Sequence, residues 1–382
     1  MLAAISNLWL ELSSVLMSII LAFGTTFGIF IPSTTAPSGG YKEEEIKNVI
    51  YLIGDGMGFN HLNKTKKERE LSLTIDEFKI GGESMTRSLS AAVTDSAAGG
   101  TALATGERTS NGAIGVYMFD LFSIYSYPKN LTELCKERGM MTGVITTDET
   151  SGATPASFSA HAYDRDDTEG ITADQMVSGF DLIWGAENGI ANRADAEANG
   201  FTYITTDDEM MALEEGSRSF AQFTNDLWTL EQSDENTPTL SQMTEKAIDL
   251  LDDTDEGFFL MVEGAHIDKH SHSNEDDNMT EAMAEFDKVI KIALDYAKAD
   301  GETLVVVTAD HETGAITPEN GEYVFTSGSH SDANVPVRVY GADKFIYKGE
   351  VLNNYEIPMR IAYTLGFTED EFPCEVMVKK AA

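Results

Sequence analysis

Cysteine is nearly absent: the 382-residue chain has two, Cys135 and Cys374. Two cysteines allow at most one disulfide and are too few for a zinc site built on thiolates. Basic residues are scarce as well. Lys and Arg total 26 against 64 Asp and Glu, a formal net charge of −38. A surface of that sign repels nucleic acid and anionic membranes, which excludes a nucleic-acid partner. It suits a protein that works in high salt or binds cations, and at the least it keeps the chain soluble. There is no internal repeat and no long disordered run. Apolar residues are present in ordinary measure, 42% of the chain, over a length that fits one large α/β domain or two small ones.

Residues 1–40 differ from the rest. Positions 15–31 are largely apolar and positions 32–40 form a Ser/Thr/Pro/Gly linker. This pattern is a secretory signal or an N-terminal membrane anchor. No Lys or Arg precedes the apolar run, only Glu11, and Pro37 would follow a cut after Ala36. The expectation is an exported protein, periplasmic or extracellular, with its folded part in residues 41–382.

Buried-looking strands organise that part. Residues 47–53 (KNVIYLI) run without a polar break into Gly54-Asp55-Gly56-Met57-Gly58. This reads as a parallel strand with a glycine-rich turn at its carboxyl end, where open α/β sheets bind ligands. Asp55 is there as a metal ligand or as part of an Asp-Gly turn. A polar helical segment spans roughly 64–78. Thr94-Asp95-Ser96-Ala97-Ala98-Gly99-Gly100 then opens a helix of small residues that Gly106 can end. Ser96 falls in its first turn, where unpaired N–H groups favour an anion; it is a cap or a nucleophile facing a phosphate. A helix at 131–138 and a strand at 141–147 follow. In Ala153-Thr154-Pro155-Ala156, Pro155 suits a first helical position, which makes Thr154 a cap or a hydroxyl ligand. Arg165 is a helix-end arginine or a phosphate clamp. His161, with apolar neighbours, reads as a core or supporting histidine.

Residues 166–245 say least. The densest cluster follows the strand at 257–262: Glu263-Gly264-Ala265-His266-Ile267-Asp268-Lys269-His270-Ser271-His272 carries three of the chain's seven histidines. One helical turn puts Asp268 and His272 on one face, a metal-ligand spacing. An amphipathic helix over 279–298 is core. The Val-rich strand at 304–309 ends in Asp310-His311, a costly place for charge without a metal or partner. His330 precedes a strand at 335–340. Several of these clusters follow carboxyl ends in what reads as one parallel sheet, so they can meet. Mixed nitrogen and oxygen ligands suit zinc, and carboxylate with hydroxyl suits magnesium. Two divalent ions flanking a serine make a phosphoryl-transfer site.

Taken in order, these stretches resemble the alkaline phosphatases of the two-zinc, one-magnesium type, from about residue 47 to 366. The resemblance implies a three-layer α/β fold, a mostly parallel central sheet with helices on both faces. It implies Ser96 as a nucleophile that forms a phosphoserine. It implies Asp268, His272 and His330 on a first zinc, and Asp55, Asp310 and His311 on a second. Asp55, Thr154 and Glu263 would hold magnesium, Arg165 would clamp phosphate, and Lys269 would reach it through water. Small phosphomonoesters are the implied substrates, over a broad range, and the implied assembly is a homodimer. The alternatives are a phosphodiesterase or sulfatase of the same superfamily, or an acidic extracellular cation-binding protein; an intact Ser96, Arg165 and ligand set favours the phosphatase. Gly152 stands where many members carry an Asp or His, which implies a weakened magnesium site. The short 311–330 stretch implies an open pocket and a less secure dimer. His266 and His270 have no implied role.

Overall fold

A computed structural model describes residues 46–119, 124–224, 236–252 and 254–373. The expectations for residues 1–40 and for Cys374 lie outside these; Cys135 is buried. Ten strands make the central sheet. In chain order they are β1 (Asn48–Gly54), β2 (Ile80–Met85), β3 (Met141–Glu149), β4 (Leu182–Ala186), β5 (Thr202–Ile204), β6 (Ser219–Phe223), β7 (Phe258–Gly264), β8 (Thr303–Thr308), β9 (Val335–Tyr340) and β10 (Val351–Asn353). Across the sheet they run β10-β2-β9-β8-β1-β7-β3-β4-β6-β5. β9 pairs antiparallel with both of its neighbours, and the other pairings are parallel.

The central strands are apolar along most of their length because both faces of the sheet are covered. Along β1, Val49, Tyr51 and Ile53 join a cluster with Leu103, Leu131, Leu134 and Ile361 from helices on one side. Ile50 and Leu52 join Met243, Met283, Phe286 and Val289 on the other. Alternate residues of a strand point to opposite faces, so this is the expected three-layer α/β fold.

Register explains where the site lies. Ile53 of β1 sits level with Thr308 of β8 and Glu263 of β7, and Glu263 sits level with Thr146 of β3. Four adjacent parallel strands therefore end along one line, and Asp55, Asp310, Glu263 and the turn before Thr154 emerge from the same edge.

Two local expectations need correction. The polar helix runs Phe59–Glu68 and ends before Glu70, whose φ is 52°; a short 3-10 turn, Thr74–Glu77, follows. Buried His61, Lys64 and Thr65 face the core there, so the polar composition hides the helix's inner side. Thr154 is not a cap. The helix Ala153–Ser157 starts after Gly152, and Pro155 is its third residue.

Candidate active site

The helix Ser96–Thr105 begins where Asp95 caps it, its Oδ1 accepting from Ala98 N at 2.9 Å. The cap is thus Asp95, and Ser96 is the first helical residue, 6% exposed. Gly99 lets this helix approach β8's terminal loop: a Cβ there would lie 3.0 Å from Asp310 O. That approach brings Ser96 Oγ to 3.1 Å from His311 Nε2.

The same ring nitrogen faces Asp310 Oδ2 at 3.2 Å and Asp55 Oδ1 at 3.5 Å. Neither carboxylate oxygen has a hydrogen bond, although both are buried. His311 turns its other nitrogen to Thr313 Oγ1 at 3.2 Å, and burial lowers its pKa, so the ring is neutral. Burial, then the neighbouring Asp310, Asp268 and Glu263, raise Asp55 well above the ordinary carboxylate value.

Beside this lies a second cluster. His272 Nε2 is 3.3 Å from Asp268 Oδ2 and 3.1 Å from His330 Nε2, and His330 Nε2 is 3.6 Å from Asp268 Oδ1. The two Nδ1 atoms are each 2.9 Å from a backbone carbonyl, of Gly328 and Thr94. Donation to those carbonyls leaves both Nε2 atoms as lone pairs facing each other, which requires a positive charge between them. Without a metal a proton serves: the hydrogen bond to Asp268 raises His272 to about 9. Asp268 would be raised by burial, but hydrogen bonds from His272 and Thr313 bring it below its usual value. Gly56, at φ 74°, permits the contact between the first turn and this cluster, since a Cβ there would lie 2.9 Å from Asp268 Cα. His311 belongs to both groups: donor atoms of Asp268, His311 and His330, and of Asp55, Asp310 and His311, lie within 4.8 Å of one another.

Glu263 ends β7 on the face of the sheet that carries Ser96, 1% exposed. Thr146 Oγ1 donates to its Oε2. Burial, and next the charge of Asp148, raise its carboxyl to about 8. Thr154 Oγ1 is buried with no hydrogen bond. Four buried carboxylates and three unpaired buried oxygens call for cations, or for protons in their place, because a buried charge must be paired. The donor set fits divalent metals.

Arg165 Nη1 reaches Asp95 Oδ2 at 3.4 Å, which ties the guanidinium to the residue before Ser96. Lys269 Nζ pairs with Asp148. Sequence reasoning assigned no role to Asp95, Asp148 or Thr313; Asp95 alone carried a signal, as an Asp before a helix start. Four histidines stay outside the clusters. His61 Nε2 lies 3.1 Å from Ser271 Oγ. His161 binds Gly115 O at 2.6 Å and Glu133 Oε1 at 3.1 Å. His266 and His270 pack together at 5.9 Å, with His270 on Glu275.

A serine at a helix N-terminus, beside two clusters of cation ligands at the carboxyl edge of a three-layer sheet, defines a metal-dependent phosphoryl-transfer hydrolase. The alkaline phosphatase family profile matches residues 46–183 and 184–341. The chain belongs to the alkaline phosphatase family, and it is a metal-dependent phosphomonoester hydrolase. Alkaline phosphatase 4 of Bacillus subtilis is 33% identical over 343 residues, 83% of this chain and 73% of that protein. Alkaline phosphatase from the Antarctic bacterium TAB5 is 32% identical, with a TM-score of 0.74 over 85% of this chain and 99% of the other. A TAB5 variant with a histidine changed to glutamate, solved with Mg bound in the M3 site, gives a TM-score of 0.75 at 32% identity over the same shares, 85% and 99%.

Proposed function

We propose that the chain hydrolyses a broad range of phosphomonoesters through a phosphoserine on Ser96, with two zinc ions and one magnesium ion. The observation that carries this reading is Ser96 Oγ at 3.1 Å from His311 Nε2, itself between Asp55 and Asp310. Asp268, His272 and His330 would hold the first zinc, and Asp55, Asp310 and His311 the second. Asp55, Thr154 and Glu263 would hold magnesium, a reading supported by the TAB5 variant with Mg in its M3 site. Bound divalent metal supplies a lowered pKa for the serine hydroxyl and the attacking water, and neutralises charge in the transition state.

The protein's own groups do the rest. Ser96 Oγ attacks phosphorus as the ester oxygen leaves; water then cleaves the phosphoserine and restores the hydroxyl. The helix N-terminus at Ser96 favours the anion. Arg165, steadied by Asp95, grips two phosphoryl oxygens, which selects a terminal phosphoryl group over a diester. Lys269 adds positive charge nearby.

Hydrolysis of p-nitrophenyl phosphate compared with the bis-ester and the sulfate tests the assignment. The monoester should be preferred by orders of magnitude; preference for either other substrate contradicts it. The proposal includes export on the apolar stretch at 15–31 and a homodimer. N-terminal sequencing of secreted protein and sedimentation check these.

A further inference from the structure

Gly152 leaves no side chain beside the proposed magnesium ligands, yet the space is filled. A Cβ built on Gly152 would lie 2.6 Å from Asp148 Oδ2 and 3.0 Å from Asp148 Cγ. The carboxylate of Asp148, at the end of β3, therefore stands where a side chain at 152 would point. It is connected to the site in two directions. Its other oxygen, Oδ1, accepts from Lys269 Nζ. Its backbone N–H donates to Thr146 Oγ1 at 2.8 Å, and that hydroxyl donates to Glu263 Oε2. Thr154 Oγ1, 1% exposed, has no hydrogen bond. Two carboxylates linked through Thr146, beside a buried hydroxyl without a hydrogen bond, describe a place completed by a cation.

We propose that Asp148 is the positioning residue of the third cation site, supplying from β3 the carboxylate that residue 152 cannot, and fixing Lys269 in the same act. This rests on the phosphatase reading above. Gly152 is then what makes room for Asp148 rather than a defect in the site. A side chain at 152 would meet the Asp148 carboxylate, which would have to swing aside to admit it.

The test is magnesium titrated into the two-zinc protein, followed by calorimetry and by elemental analysis after dialysis. Asp148→Asn keeps the shape and a hydrogen bond to Lys269 but removes the charge. It should weaken magnesium binding about 10- to 100-fold while zinc stays at two per chain. The double variant Asp148→Ala with Gly152→Asp returns a carboxylate to the same volume and should recover magnesium affinity that Asp148→Ala alone loses. Unchanged magnesium affinity in Asp148→Asn overturns the inference. So does a double variant no better than Asp148→Ala, or loss of zinc together with magnesium, which would indicate a general folding role. An unsubstituted protein with two zinc ions and turnover but no magnesium binding also refutes it and leaves the phosphatase reading standing. Absence of zinc binding and turnover in the unsubstituted protein sinks both.

Discussion

Stripping the metals should load the site with protons, and returning them should expel those protons. Two raised groups set the number. His272, raised to about 9 chiefly by its hydrogen bond to Asp268, is almost fully protonated at pH 7. Glu263, raised to about 8 by burial and then by Asp148, is roughly nine-tenths protonated there. Ligands must be deprotonated to bind, so metal addition at pH 7 should release about two protons from these groups. The sign follows: the metal-free state holds protons that the loaded state does not, so metal affinity rises with pH. Each ion displaces about one of these protons, so the rise should be about tenfold per pH unit, levelling off above about 9 for zinc at His272 and above about 8 for magnesium at Glu263. The metal-free protein should behave in the opposite sense. Both groups hold extra protons only when folded, so its stability is lost as pH rises from the ordinary values, 4.5 and 6.5, through about 8 and 9. Calorimetry of zinc and magnesium addition in two buffers with different ionisation enthalpies counts the protons. A heat independent of the buffer at pH 7 would refute the reasoning.

Other outcomes follow from the same geometry. Ser96→Ala should lower turnover by about 10³-fold or more while zinc and magnesium content are unchanged; turnover near the original level would exclude Ser96 as the nucleophile. Gly99→Val should push against Asp310, whose carbonyl lies 3.0 Å from the added Cβ, and so reduce zinc content, read by elemental analysis. The formal charge of −38 repels an anionic substrate at long range, while the cations and Arg165 attract it nearby. Salt screens the far field first, with a Debye length of about 8 Å at physiological ionic strength. Activity on small phosphomonoesters should therefore rise with added salt, and a flat or falling kcat/KM would contradict this.

The parts of the fold that sequence made legible are those whose environment repeats along the chain. β1 and β8 read as strands because both faces are buried, and the helix Asp276–Asp300 shows its inner stripe in Met283, Phe286, Val289 and Ile290. The helix after β1 was obscured because buried polar residues line its inner side. The site was legible to the extent that its acids and histidines follow strand ends. Its supporting contacts were not, since they join distant segments. Asp148 meets Lys269 across 121 positions, and Thr313 meets Asp268 across 45. Nothing local in the chain signals either pair. The meaning of Gly152 was hidden for the same reason: only the folded chain shows that Asp148 fills its space.

The most direct test of the central claim is metal content alongside p-nitrophenyl phosphate hydrolysis, before and after chelation and zinc return. The account predicts that turnover disappears on chelation and returns with about two zinc ions per chain, with magnesium present in the same sample. A folded protein that never turns over at any metal loading, or one whose turnover survives chelation, would contradict it.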